Sequence, residues 1–158
     1  MRTPPLEDSD LAVRVLARSE PILVASPSLF ERLPRPQEIG DLSRLPTLAM
    51  ARAGEKFVWN FVTISGALLS VTHAPRMVTD DMPTLKVAAI GGLGVAQLPQ
   101  AQAQADLDAG LLERVLPQLN FPYRLVHAVF PSRRGLVPAV RGLLDELVAG
   151  YDRNCCLA

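Results

Sequence analysis

The chain has 158 residues, 49% of them hydrophobic, and its 16 basic residues balance its 16 acidic ones. This composition indicates a packed core, in one domain or two small lobes, and argues against disorder. A neutral chain lacks the basic excess with which nucleic-acid-binding domains neutralise phosphates. No apolar run approaches the ~20 residues of a membrane span, and the acidic first twenty residues do not resemble an export signal, so we expect a cytoplasmic protein.

Strand patterns dominate the first half of the chain. Apolar residues at period two, or short unbroken apolar runs, predict strands over residues 11–16, 22–25, 57–61, 64–69 and 71–73. Ser26 and Pro27 favour the start of a short helix over residues 28–32. Residues 33–46 hold three prolines and are predicted to be loop, with one helical turn near residues 37–42.

Helices and strands alternate after residue 79. Asp80 or Asp81 can cap a buried helix that carries Pro83 in its first turn and ends at Gly91-Gly92. Further helices are predicted over residues 100–108 and 138–149, the last one ending at Gly150. Strands are predicted over residues 95–98, 111–116 and 125–130. This alternation predicts an α/β fold.

The run Gly91-Gly92-Leu93-Gly94 has two possible interpretations. A phosphate-binding loop follows a strand and opens a helix, so that the helix N–H groups face the anion. Here the glycines follow a predicted helix and precede a predicted strand. The favoured interpretation is therefore a tight helix-to-strand turn.

The residues that could support catalysis or bind a metal fit structural roles better. Ser26 has no adjacent base, and Asp80-Asp81 is typical of a helix cap rather than an acid–base pair. His73 and His127 lie far apart, and Cys155-Cys156 are neighbours without ligand spacing. No catalytic residue, metal site or cofactor is predicted, and the chain is not expected to be an enzyme.

Two other groups have simple structural explanations. Arg133-Arg134 could contact a phosphate but is more typical of a solvated loop. Phe57, Trp59 and Phe61 could stack on a ligand, yet one strand face in a core is the commoner explanation for this spacing.

Seven segments form an ordered set along the chain. They are residues 6–11 (LEDSDL), 22–27 (ILVASP), 81–85 (DMPTL), 92–99 (GLGVAQLP), 110–117 (GLLERVLP), 128–134 (AVFPSRR) and 136–141 (LVPAVR). In order and spacing, this set resembles the effector-binding domain of bacterial LysR-type transcriptional regulators. The resemblance covers nearly all of the chain except residues 152–158.

The resemblance implies a type 2 periplasmic-binding-protein-like α/β fold, in which two lobes are joined by two crossing strands. Residues 21–131 would form a nearly complete second lobe, and residues 1–20 and 132–151 would be remnants of the first lobe. Residues 152–158 would be a tail. The family's winged helix-turn-helix has no counterpart in the sequence, so we expect an N-terminally truncated member, with DNA as a partner only of a full-length form.

The implied function is the sensing of a small-molecule effector. The candidate contacts on the cleft-facing side of the second lobe are Ser26, Thr79, Asp80 and Phe130. Ser26 and Phe130 are expected beside the two crossings, and Thr79 and Asp80 at a helix start with unpaired N–H groups. The alternative function is a stand-alone small-molecule-binding protein of the same fold, which would be expected to carry an export signal.

The last predicted helix carries an apolar face without an obvious partner. The face consists of Val140, Leu143, Leu144, Leu147 and Val148. Only the strand over residues 11–16 is expected to cover it, because most of the sheet on which family members pack this helix would precede Met1. An uncovered apolar face tends to find a partner, so we predict self-association through this helix and strand, or aggregation.

Overall fold

A computed structural model of the chain describes residues 11–51, 56–62, 66–131 and 137–155. The chain divides into two compact units. Unit 1 comprises Met1–Ser19 and Arg124–Ala158, and unit 2 comprises Glu20–Tyr123. Within the described ranges, no helix combines the length and apolar content needed to cross a membrane.

The described elements follow one another in the order β1 (Leu11–Ser19), β2 (Pro21–Ala25), α1 (Pro27–Phe30), a 3-10 turn (Ile39–Arg44), β3 (Thr47–Met50), β4 (Val58–Val62), β5 (Leu68–Thr72), β6 (Pro75–Thr79), α2 (Met82–Ile90), β7 (Ala96–Pro99), α3 (Gln100–Asp108), β8 (Glu113–Arg114), β9 (Arg124–Pro131) and α4 (Pro138–Cys155).

The central sheet of unit 2 has one reversed strand. Strand β2 pairs antiparallel with both β7 and β8. Strands β3 and β6 pair in parallel, and a parallel bridge from Thr47 to Val95 joins β3 to the start of β7. The order is therefore β8-β2-β7-β3-β6. As a result, the start of β2 and the carboxyl ends of β7, β3 and β6 lie at one end of the sheet, which we call the Pro21 end.

The core of unit 2 lies on both faces of this sheet. Strand β2 is buried along its whole length. Since successive side chains of a strand point to opposite faces, Ile22 and Val24 join a cluster with residues of α2 and α3. Leu23 and Ala25 join a second cluster, to which the β4–β5 hairpin contributes Trp59 and Phe61. The core interpretation is therefore confirmed for Trp59 and Phe61, whereas Phe57 is only half-buried.

The glycine run forms the tight turn between α2 and β7. Gly91 ends the helix, and Gly92 has a φ of +71°, which a residue with a Cβ rarely adopts. A Cβ on Gly92 would lie 2.7 Å from Ser28 Oγ, and one on Gly94 would lie 2.5 Å from the Pro46 carbonyl oxygen. The interpretation as a turn is confirmed.

Unit 1 contains an antiparallel ribbon and one helix. Strands β1 and β9 pair along their length, with a bulge between Val15 and Ala17. Helix α4 packs on β1, and Arg14 Nη2 lies 2.6 Å from Asp145 Oδ1. The sequence prediction extended the second lobe to residue 131. In the structure, strand β9 pairs with β1 in unit 1, so unit 2 ends at Tyr123.

The predicted apolar face of α4 is only partly covered. Leu144 is buried, while Leu143 is 58% exposed and Leu147 is 39% exposed. The helix also continues past Gly150 to Cys155, so the predicted end was wrong. A glycine lowers the stability of a helix by only about 1 kcal/mol relative to alanine. It therefore ends a helix only where the chain also changes direction.

Four strands differ from the sequence prediction. Strands β3 and β6 were not predicted, because β3 is short and follows a proline-rich loop and β6 begins with a proline. Strand β8 is two residues long instead of six; the chain turns at Leu116, which has a φ of 51°. The strands predicted over 64–69 and 71–73 appear as one strand, β5, and residues 64 and 65 lie outside the described residues, as do Arg133-Arg134.

Candidate functional site

Thr79 and Asp80 lie at the Pro21 end of the sheet. Strands β3 and β6 run in parallel to this end, with Met50 opposite Thr79. The Ala51 N–H then donates to the Thr79 carbonyl oxygen at 2.7 Å, which fixes the two strand ends side by side. Asp80 follows directly and is exposed. Polar groups that follow parallel strands at one sheet end are well placed to contact a ligand.

Asp81, rather than Asp80, caps helix α2. Its carboxylate accepts a hydrogen bond from the Thr84 N–H at 2.8 Å, and its own N–H donates to Thr79 Oγ1 at 3.1 Å. The hydrogen bonds from the Thr84 side chain and backbone lower the pKa of Asp81 below its ordinary value. Because this carboxylate already occupies the positive end of the helix dipole, the helix start does not favour an anion.

Ser26 lies at the opposite end of the sheet from Thr79 and Asp80. Strand β2 begins at Pro21 and runs antiparallel to β7, so it carries Ser26 away from the Pro21 end. Five strand residues span roughly 16 Å. Ser26 is buried, and its Oγ lies 2.9 Å from Ser28 Oγ. The expected position of Ser26 beside the first crossing is therefore corrected, and the structure does not group it with Thr79 and Asp80.

Phe130 belongs to unit 1. It lies in β9 opposite Ala12 of β1 and is half-buried. The four candidate residues predicted from the sequence thus divide into a pair at the Pro21 end, one residue at the opposite end of the same sheet, and one residue in the other unit.

A pocket at the Pro21 end was not predicted from the sequence. It has a volume of about 240 Å³ and is lined by Glu20, Pro21, Ile22, Arg114, Leu119, Asn120, Phe121 and Tyr123. Its residues come from the start of β2 and from the segment that leads from β8 to the end of unit 2. No sequence pattern joins these segments, because their proximity depends on the pairing of β2 with β8.

Backbone and aromatic contacts hold the wall of this pocket. The Leu119 N–H donates to the Leu116 carbonyl oxygen at 2.9 Å, which forms a turn. The Val62 N–H donates to the Asn120 carbonyl oxygen at 2.7 Å. The ring of Phe121 then packs against Phe61, with 4.6 Å between centroids. The wall is therefore fixed to the core of unit 2 through β4.

His73 has a structural position in unit 2. Its Nδ1 lies 2.8 Å from Oγ1 of Thr47, which is 1% exposed, and its ring stacks on Trp59 at 4.1 Å. Burial lowers the pKa of His73 below its ordinary value. The contacts fasten the β4–β5 hairpin to β3. Across the described residues, no group of three or more His, Cys, Asp or Glu side chains is arranged to hold a metal ion.

The chain matches known proteins over almost its whole length. A family model described as the LysR substrate binding domain matches residues 1–152. An HTH-type transcriptional regulator of Xanthomonas campestris is 29% identical over 164 residues, covering 100% of this chain and 47% of the relative. The regulator PtxR of Pseudomonas aeruginosa is 25% identical over 140 residues, covering 89% of this chain and 45% of the relative. The chain thus spans about half the length of these relatives.

Solved structures agree with the family match. CrgA, a LysR-type transcriptional regulator from Neisseria meningitidis, superposes with a TM-score of 0.80 at 23% identity, covering 95% of this chain and 51% of CrgA. The regulatory domain of AphB from Vibrio vulnificus gives a TM-score of 0.74 at 25% identity, covering 95% of this chain and 73% of that domain. The predicted α/β fold of the periplasmic-binding-protein type is confirmed. The chain belongs to the LysR substrate-binding domain family.

Proposed function

We propose that this chain senses a small-molecule effector as the regulatory part of a LysR-type transcriptional regulator. The family match and the relatives, which are described as HTH-type regulators, support this function over that of a stand-alone binding protein. The observation that carries the proposal is the Pro21 end of the sheet. There the carboxyl ends of three parallel strands come together, and open α/β sheets bind ligands at such ends.

Thr79 and Asp80 are the contacts that we propose within unit 2. Both are polar, they are adjacent, and the hydrogen bond between Ala51 and Thr79 holds their backbone in place. Ser26 is left out of the proposed set because it lies at the other end of the sheet. Phe130 stays a prediction that its own variant, Phe130→Ala, would test.

The proposal assigns the chain neither an enzymatic activity nor a cofactor, in line with a family of transcription regulators. A bacterial regulator acts on DNA in the cytoplasm, so the proposal places the protein there. DNA binding is assigned to a longer form that carries a helix-turn-helix. In a mobility-shift assay at low salt, this chain alone should give no sequence-selective complex.

The test is a thermal-shift screen of small metabolites, followed by calorimetry on the best ligand. Thr79→Val and Asp80→Asn should each weaken binding about tenfold, since a hydrogen bond to a charged group contributes ~1.5–3 kcal/mol. Thr72→Val and Glu31→Gln are matched controls, because both residues are exposed elsewhere on unit 2, and they should change affinity less than twofold. Equal losses in the variants and the controls would contradict the proposed contacts.

We also infer that unit 1 mediates self-association. Val13 and Val15 flank Arg14, whose side chain meets α4 through Asp145, so both valines point to the ribbon's other face. They are 38% and 51% exposed, and Val129, which lies opposite Val13, is 46% exposed. With Leu143 and Leu147 of α4, these residues give unit 1 apolar surface that another copy of the chain can cover.

A further inference from the structure

The pocket at the Pro21 end carries two opposite charges that do not meet. Glu20 and Arg114 both line it, and both residues are exposed. Among the described residues, no ion pair joins them. The hydrogen bond from Arg114 Nη2 to Gln100 Oε1 is long, at 3.4 Å. Both charges therefore remain able to pair with a bound molecule.

Four apolar residues complete the lining. Leu119 and Phe121 are half-buried, so part of each side chain is open to a ligand, whereas Pro21 and Ile22 are buried and expose little surface. Asn120 and Tyr123 add polar groups at the rim. A volume of about 240 Å³ lies below the ~300 Å³ at which pockets for drug-sized molecules begin. The occupant must therefore be small.

We propose that this pocket binds a small aliphatic α-amino acid. Its ammonium group pairs with Glu20, its carboxylate pairs with Arg114, and its side chain lies on Leu119 and Phe121. Charge-assisted hydrogen bonds of this kind are the stronger ones in proteins. A simple carboxylic acid would face the Glu20 carboxylate without compensation, and a simple amine would face Arg114 in the same way. A zwitterion satisfies both charges at once.

This inference rests on the proposed sensing function, because it names the class of ligand that unit 2 takes. The pocket is distinct from the contacts proposed at Thr79 and Asp80. Strands β7 and β3 lie between β2 and β6, so three strand spacings separate Pro21 from Thr79, or roughly 14 Å. Binding in the pocket and binding at Thr79 can therefore be told apart by which resonances move.

The experiment is an NMR titration of the ¹⁵N-labelled full chain with three probes. L-Leucine is compared with 4-methylpentanoate, which lacks the ammonium group, and with 3-methylbutylamine, which lacks the carboxylate. We expect saturable shifts at residues 20, 22, 114, 119–121 and 123 with L-leucine. Each of the two analogues should bind at least about tenfold more weakly, because it loses one charge-assisted contact.

Two variants, each of which removes one charge, test which residue contacts the ammonium group of the ligand and which contacts its carboxylate. Glu20→Gln should abolish the preference for L-leucine over 4-methylpentanoate, and Arg114→Gln should abolish the preference over 3-methylbutylamine. Glu31→Gln and Arg76→Gln are matched controls, since both residues are exposed and lie outside the pocket. They should leave both preferences unchanged.

The outcomes separate this inference from the proposed function. If L-leucine gives no saturable shift at the pocket while a metabolite shifts residues 79–84, the inference is wrong and the sensing function stands. Equal affinity for the three probes, or preferences that survive both variants, also contradicts the inference. If neither L-leucine nor any metabolite of the screen binds, both proposals are wrong.

Discussion

Unit 2 and unit 1 differ in how completely they bury their apolar residues. In unit 2 the sheet is covered on both faces, and two clusters of ten buried residues each form its core. In the described part of unit 1, the buried hydrophobic residues are Leu16 and Leu144. A two-stranded ribbon is marginal by itself, so its stability depends on what covers it. The difference indicates that unit 2 can fold around its own core, whereas unit 1 needs another surface.

The two units therefore offer different kinds of surface to other molecules. Unit 2 exposes polar groups at one end of a well-covered sheet, which suits a small ligand. Unit 1 exposes aliphatic side chains on a ribbon and a helix, which suits another polypeptide. Both units are built from helices and strands. They differ in how much of their apolar surface is covered, and this difference determines the kind of surface that each unit exposes.

The largest expected effect is the contrast between two leucines. Leu85 of unit 2 is 1% exposed, and Leu143 of unit 1 is 58% exposed. Leu85→Ala should lower the free energy of unfolding by ~2–5 kcal/mol, because it leaves a cavity in a packed core. Leu143→Ala should change it by less than ~0.5 kcal/mol. Urea denaturation measures both losses: the fluorescence of Trp59, the single tryptophan, follows unit 2, and far-UV circular dichroism also follows helix α4. Similar losses in the two variants would contradict the contrast.

The next effect is on association. Leu143→Asp combined with Leu147→Asp should raise the dissociation constant of self-association at least tenfold, which corresponds to about 1.4 kcal/mol, because charges on an apolar contact surface must be desolvated. Sedimentation velocity measures the monomer fraction, and Trp59 fluorescence checks that unit 2 stays folded. A compact monomer at high concentration that unfolds when these leucines are changed would show that unit 1 buries the face internally.

Two glycine substitutions should act in opposite directions. Gly92→Ala should destabilise unit 2 by ~1–2 kcal/mol, because φ is +71° and the new Cβ would meet Ser28. Gly142→Ala lies in α4, where nothing stands within 4 Å of the new Cβ, and should stabilise the helix by ~0.5–1 kcal/mol. Melting temperatures of the two variants test this, and the same sign in both would contradict it.

The smallest effect is a pH dependence that originates at His73. Burial lowers the pKa of His73 from 6.5, so in the folded chain the ring stays neutral to lower pH than in the unfolded chain. Below pH 6.5 the unfolded state binds the proton first, and the free energy of unfolding should fall until the folded pKa is passed. His73→Phe should remove this part of the pH dependence, whereas the control His127→Gln should retain it.

The sequence predicted those elements whose signals are local. Helix α3 was placed over residues 100–108, as observed, because a run of helix formers precedes the stop at Gly110. Strand β2 was recognised because burial on both faces requires an unbroken apolar run. Strand β3 was missed because it is short and becomes a strand only by pairing with β6 and with Val95 before β7, and β6 was missed because it begins with a proline. Edge strands also tolerate the proline and charge that β6 carries.

The candidate site was less accessible to sequence reasoning than the fold. Thr79 and Asp80 could be placed at a helix start, since the following proline and capping residue mark it locally. The position of Ser26 depended on the direction of β2 relative to its neighbours, which its own residues do not specify. The pocket of Glu20 and Arg114 depends on the pairing of two distant segments, and no pattern within either segment reports that pairing.

The most direct test of the central claim is to map a bound effector on unit 2. The metabolite with the largest thermal shift would be titrated into the ¹⁵N-labelled chain, and amide resonances would be followed to saturation. The account predicts that the shifts cluster at the Pro21 end of the sheet, at residues 20–22, 50–51, 79–84 or 119–123. Shifts confined to residues 26–32 at the opposite end of the sheet, or to unit 1, would contradict it.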